Sequence, residues 1–315
     1  MPKMIKVSKH YQPFFLNPLW AYAIVLISYF SAPALREYLV IGILIFLGFP
    51  HFGLTIPIIF SKNWKNYKIE LWGSEYGGMF IFIALPTFFL SVFAVFYALD
   101  KNIALIVFLI INFFHITRQS EGILKLQSAH SNWNQVLVSI RILRFSNYAI
   151  LIHIVLTSLG HNFSDSLSTG LAVAWFTLNT SYLAYIIKKR ETLTHISCLI
   201  TSLAIYTPVF FCEKYIEVIT LGTVMHYIQY LFLGGKIVTK RTISESNNFS
   251  KSFVFIAVFI IIYTIASSVV SFNVRPNNQH LIIIALLAQL YHFITDSFIW
   301  RKSVAHNRDN IFKYI

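Results

Sequence analysis

Charge is scarce in this chain. Its 315 residues hold 12 Asp and Glu against 25 Lys and Arg, and charged residues of both signs make up only 12% of the whole. Soluble domains are about a quarter charged, so an ordinary water-facing surface is excluded. Cysteine is nearly missing as well. Cys198 and Cys212 fall near opposite ends of one expected helix, too far apart to bridge; they read as packing residues and say nothing about redox compartment. Long polar stretches are also lacking. The longest, 61–75, 127–135 and 239–250, are the size of connections, and neither a soluble domain nor an internal repeat is visible.

Apolar residues fill the space instead. They make up 57% of the chain, and the mean hydropathy is +0.65. Several continuous runs approach the ~20 residues that a helix needs to cross ~30 Å of hydrocarbon. The short alternating segments of a membrane β-barrel are not seen. The chain reads as an all-α polytopic membrane bundle, a single transmembrane domain over 1–315. Ten spans are expected, near 17–34, 36–60, 74–98, 101–122, 143–160, 169–187, 194–212, 216–235, 252–272 and 279–300. The first span follows Lys3, Lys6 and Lys9 and precedes Ser31-Ala32-Pro33-Ala34. Its apolar run exceeds that of a signal peptide, and it reads as a retained anchor.

A net charge of +13 would suggest nucleic acid as the partner of a soluble protein. Here the charges mark topology. When Lys and Arg are assigned to alternating sides of ten spans, only Arg36, Lys101, Lys214 and Arg275 fall on one side and all the others on the opposite one. The positive-inside rule then places both termini in the cytoplasm. The expected location is a bacterial inner membrane, with no nucleic acid bound. Trp64, Trp72, Trp133 and Trp300 stand where an interfacial aromatic belt belongs. The 30 Phe suit lipid contact, packing or the wall of an apolar tunnel.

Four histidines stand out against this background: His51, His115, His226 and His292. Each lies 12 to 15 residues after the start of an even-numbered span, measured from Arg36, Lys101, Lys214 and His280 respectively. Those spans run in the same direction, and at ~1.5 Å per residue the offsets agree to within about a turn. All four imidazoles are therefore expected at one level, in the inner half of the bilayer. Ionisable groups at that depth are costly and usually functional. The bland alternative is four separate core histidines bonded to neighbouring carbonyls, as is expected for His153 on a span of opposite direction. Matched depth favours a shared site.

Each of the four has a hydrogen-bonding residue a turn further on: Thr55 after His51, Gln119 after His115, Gln229 and Tyr230 after His226, and Asp296 after His292. Residues four apart share a helix face, so Asp296, Gln119, Tyr230 and Thr55 are expected to orient ligand imidazoles and fix their tautomers. Leu47-Gly48-Phe49-Pro50-His51-Phe52-Gly53 adds a local irregularity, because proline removes a backbone donor and kinks a helix. Such a kink either aims His51 at the bundle axis or is merely structural.

Imidazole sets favour iron, copper or zinc over magnesium or calcium. Iron(II) held by four neutral histidines keeps positions open for dioxygen and suits oxidation of an apolar alkene delivered from the membrane. Zinc hydrolysis more often uses three protein ligands and a carboxylate base, and the acidic residues nearby are only Asp296 and, at the interface, Glu121. Paired haems would require two depths. The dense HxxxH and HxxHH boxes of membrane desaturases are missing, as the chain contains no HxxxH and no HH.

Gly48-Phe49-Pro50-His51-Phe52-Gly53, followed by isolated histidines on later spans, resembles the Brp/Blh family. These are polytopic membrane proteins that cleave β-carotene at its central double bond to give retinal and are thought to use histidine-bound iron. The resemblance implies a metal role for His51 through the motif, while His115 and His292 fit as isolated histidines. Thr55 stands where the family motif usually continues to Asp, and His226 lacks a second histidine one turn away.

The function expected from the sequence is thus an iron(II)-dependent membrane dioxygenase with His51, His115, His226 and His292 as ligands. Its substrates would be dioxygen and a lipophilic polyene entering sideways from membrane lipid. The alternatives are a transporter that uses the same histidines for metal or protons, for which Pro50, Pro57, Pro86 and Pro208 leave room as helix breaks, and a scaffold that holds no metal.

Overall fold

The computed structural model describes residues 17–59, 80–127, 132–159, 165–210, 215–246, 249–272 and 282–300, with 307, 311 and 313. The N-terminal lysines, residues 61–75 with Trp64 and Trp72, Cys212, Lys214, Arg275, His280 and the basic residues at 301, 302 and 308 lie outside the described residues. Among those described, the chain is all-helical and has no strand. The helices are α1 (Tyr22–Phe30), α2 (Pro33–Ile43), α3 (Phe49–Ile59), α4 (Leu85–Leu99), α5 (Lys101–Gln127), α6 (Trp133–Ser158), α7 (Asp165–Lys188), α8 (Leu193–Ala204), α9 (Tyr215–Ser246), α10 (Phe249–Phe272) and α11 (Ile282–Ile299). Among the described residues, six stretches are long and apolar enough to cross a membrane: Pro33–Ile58, Phe82–Leu99, Lys101–Leu126, Trp133–Thr157, Leu167–Lys188 and Glu217–Ser244. Leu19–Phe30, Leu193–Ala204 and Ala257–Val269 are shorter apolar helices. The chain therefore has the make-up of an integral membrane protein.

Short polar side chains start several helices. Asp100 accepts hydrogen bonds from the backbone N–H groups of Asn102 (2.8 Å) and Ile103 (3.1 Å) at the head of α5. Asn132 accepts from Asn134 at α6, and Thr192 from His195 at α8. Each satisfies a donor that the first helical turn cannot. The end of α7 closes differently. Arg190 takes a left-handed φ of 57°, while the N–H of Glu191 bonds to Ile186 O (3.3 Å) and that of Arg190 to Ile187 O (2.9 Å). That is a Schellman closure made without its usual glycine.

Prolines shape two other helices. A π-helical turn, Leu44–Gly48, joins α2 to α3, and another, Phe80–Ala84, leads into α4. Each ends two residues before a proline, Pro50 or Pro86. A proline cannot donate to the carbonyl four residues back, and widening the preceding turn to i→i+5 bonding takes up the mismatch. The break expected at Pro50 is this π turn, and it re-aims the residues that follow, His51 among them.

Helix ends depart from the expected spans. α6 begins at Trp133 rather than near 143, α5 continues to Gln127, and α9 to Ser246. Arg118, Lys125, Arg141, Arg144, Lys236, Lys240 and Arg241 therefore lie on helices and not in loops. A helix leaving hydrocarbon keeps its own backbone bonds, so the loss of apolar character does not end it.

The chain divides into two compact units, Met1–Ile43 with Phe113–Gln229, and Leu44–Asn112 with Tyr230–Ile315. In the first, α8 packs on α6 and α7, and α1 on α2. Arg36 donates to Ser28 O (3.1 Å) and Tyr29 O (2.8 Å) and pairs with Glu217 at 3.5 Å. Glu121 is 2% exposed and receives Arg144 through two bonds, Nε to Oε1 at 2.5 Å and Nη2 to Oε2 at 2.7 Å, with Arg118 at 3.1 Å.

In the second unit α3 packs on α10, and α11 packs on α3, α4 and α10. A Cβ on Gly53 would lie 2.8 Å from the Tyr263 ring, and one on Gly234 would lie 2.7 Å from Leu54 Cδ2. Both contacts need the missing side chain, which is how small residues bring membrane helices together. Buried Arg241 donates to Ile58 O at 2.9 Å and to Pro57 O. It thereby ties α9 to the last described turn of α3.

Candidate metal centre

The second unit gathers five of the expected site residues. His51 and Thr55 come from α3, Tyr230 from α9, and His292 and Asp296 from α11, and none is more than 2% exposed. The His51 ring meets the rings of Tyr230 and His292 edge-on, with centroids at 4.2 and 4.5 Å. Hydrogen bonds run between helices, not along them. Thr55 Oγ1 lies 2.5 Å from His292 Nδ1 and 2.8 Å from the Tyr230 hydroxyl. Tyr230 donates to Asp296 Oδ1 at 2.8 Å, and Thr55 reaches the same oxygen at 3.4 Å. Asp296 Oδ2 stands 3.6 Å from His292 Nε2.

Partners thus differ from the turn-by-turn pairing expected from the sequence. Thr55 engages His292 as well as sharing a helix with His51. Asp296, expected to fix the tautomer of His292, leaves Nδ1 to Thr55 and faces Nε2 instead. The reason is geometric: residues at i and i+4 share a face, but their polar ends are free to turn toward the neighbouring helix, where α3, α9 and α11 converge.

Beside this cluster lies an apolar cleft of about 210 Å³, walled by Phe49 and Phe52 of α3, Tyr263 and Ala266 of α10, and Ile284 and Ala288 of α11. The Phe52 ring also contacts the His51 and His292 rings, at 5.1 and 5.3 Å between centroids. One aromatic side chain therefore borders both the cleft and the imidazoles.

The first unit holds the other two expected ligands. His115 on α5 and His226 on α9 meet edge to face, with centroids at 5.8 Å and an interplanar angle of 89°. His226 is 2% exposed, and the His115 Nε2 atom is buried. The Gln119 amide, expected to orient His115, is buried and makes no hydrogen bond among the described residues. Glu121 is committed to its two arginines.

Sequence reasoning passed over one buried group in this unit. His195 is fully buried on α8, with Nε2 at 2.8 Å from Ser139 Oγ and Nδ1 at 3.6 Å from Glu191 Oε2; Ser139 in turn lies 2.9 Å from the Tyr182 hydroxyl. His195 begins a short helix, so measuring depth along long spans could not select it. The Thr192 cap and the Lys188–Arg190 turn were its only local signals.

The donors suit a transition metal. His115, His292 and Asp296 are each buried and each offer an atom type able to hold a metal ion, and imidazole with carboxylate is a set that iron and zinc accept. Comparisons with family models, with curated proteins and with solved structures find no match for this chain.

Proposed function

We propose that this protein is an integral membrane oxygenase that uses histidine-bound iron(II) and dioxygen to oxidise a lipophilic polyene. Cleavage of β-carotene to retinal is the specific case that the resemblance to the Brp/Blh family suggests. Ten crossings of a bacterial inner membrane with both termini in the cytoplasm complete the proposal. The observation that carries it is that one side chain, Phe52, lines an apolar cleft of about 210 Å³ and also meets the rings of two buried imidazoles, His51 and His292. Iron would supply the binding and activation of dioxygen. The remaining work falls to side chains. Thr55 and Tyr230 hold His292 and Asp296 in place, and the apolar cleft walls receive the substrate chain and keep water away. His115 and His226 supply the second imidazole pair of the proposal.

Iron content of the detergent-purified protein, compared with H51A, H115A, H226A and H292A, tests this reading. About one iron per chain, lost in all four variants, supports one ion served by both pairs. Loss confined to H51A and H292A restricts the centre to their unit and removes the four-ligand form. Product formation from β-carotene and other polyenes under oxygen then tests the substrate. No iron in protein grown with ample iron overturns the proposal.

A further inference from the structure

Glu121 is one carboxylate shared by two guanidiniums. Arg144 spends Nε and Nη2 on it, and Arg118 spends Nη1. That leaves Nη1 of Arg144, and Nε and Nη2 of Arg118, with no acceptor among the described residues. A guanidinium is a fork of donors and accepts nothing. Charge is left over as well, since one anion faces two cations. The carboxylate is 2% exposed, while the Arg118 and Arg144 side chains are 52% and 40% exposed. The buried anion therefore fixes both forks from within, and their spare donors are left to the surface.

That surface has the polarity of a membrane boundary. α5 and α6 run antiparallel here: a step back along α5 from Glu121 to Thr117 is matched by a step forward along α6 from Arg144 to Asn147, whose amide donates to Thr117 Oγ1 at 3.3 Å. Exposed Phe114 precedes Arg118 by one turn, and exposed Lys125 follows it by two. On α6, exposed Arg141 precedes exposed Phe145 by one turn. Residues so spaced share a helix face. On antiparallel helices these orders coincide, so both faces change from basic to apolar in the same direction across the bilayer. Arginine at such a border keeps its stem on apolar surface and sends its head toward the polar layer. A phospholipid has the matching order, phosphate first and hydrocarbon beyond it. Arginine grips phosphate through parallel N–H···O bonds, which the spare donors can supply. A lipid of net negative charge also balances the surplus cation, whereas a zwitterionic one adds no net charge.

We propose that Arg118 and Arg144, held by Glu121, bind the phosphate of an anionic phospholipid whose acyl chains lie along the faces that carry Phe114 and Phe145. The site belongs to the first unit, uses none of the four histidines, and stands whether or not the chain holds iron.

Native mass spectrometry of the full chain in detergent, titrated with dioleoylphosphatidylglycerol or dioleoylphosphatidylcholine, tests the site in the parent, R118Q and K188Q. R118Q leaves the bonds between Arg144 and Glu121 in place; K188Q removes the same charge from the last turn of α7. In the parent, phosphatidylglycerol should bind about 10-fold or more tighter than phosphatidylcholine. R118Q should weaken it about 10-fold, the size of a hydrogen bond to a charged group, and K188Q by no more than about twofold. Equal affinity for the two lipids in the parent, or equal losses in R118Q and K188Q, would overturn the proposal. The comparison of lipids on the parent holds even if a variant fails to fold. Inorganic phosphate in excess should leave phosphatidylglycerol bound, because it has no chains to place on the apolar faces. Displacement of the lipid by phosphate would make this a plain anion site and overturn the lipid assignment.

Discussion

Replacing Arg144 with alanine should cost more stability than replacing Glu121 with glutamine, although the two residues form one ion pair. The asymmetry comes from burial. The Glu121 side chain is 2% exposed, whereas Arg144 is 40% and Arg118 52% exposed. Removing the carboxylate leaves two guanidiniums that already reach out of the packed interior and can rehydrate, so E121Q should cost about 1–2 kcal/mol, near the value of hydrogen bonds to charged groups. Removing Arg144 strips both short bonds and leaves the buried carboxylate with Arg118 alone. Leaving a buried charge behind costs about 3–5 kcal/mol; the surviving Arg118 contact lowers the expected figure to about 2–4 kcal/mol. The double variant R144A/E121Q should then be no worse than R144A and close to E121Q, because the stranded charge is gone. Reversible unfolding in mixed micelles of increasing denaturing-detergent fraction gives all three values and closes the cycle. Equal costs for the single variants, or a double variant at their sum, would refute the reasoning.

Two further outcomes concern the neighbourhood of His51. P50A restores a backbone donor to the carbonyl of Phe46, so the π turn Leu44–Gly48 should relax toward regular helix and turn His51 away; the check is iron retention, expected to fall while thermal stability is kept. G53A forces a methyl group to within 2.8 Å of the Tyr263 ring and should cost about 1–3 kcal/mol as overpacking; the same unfolding assay, repeated in G53A/Y263L, should recover part of the loss.

The apolar interiors of the helices were legible because hydropathy reads contact with lipid directly. Helix ends were not. Arg141 and Arg144 look like loop residues, yet α6 runs through both, and the charge that looks unfavourable on one strand of text is matched by Glu121 on another helix. Pro50 announced an irregularity, but a missing donor does not say whether the chain will kink or widen into a π turn. Equal depth selected the four histidines, which the structure places as two edge-on pairs, His51 with His292 and His115 with His226. Their hydrogen-bond partners were out of reach of sequence spacing, since Thr55 lies 237 positions from the imidazole it holds.

Arg241 carries a consequence for how the chain is made. The carbonyls of Pro57 and Ile58 that it caps precede it by 184 and 183 positions. At a synthesis rate of about 5–20 residues per second, they wait on the order of 10–40 seconds for their donor to emerge. During that interval this contact between α3 and α9 cannot form. A nascent chain stalled before Arg241 would therefore lack this clasp, and α3 gains it only when α9 arrives.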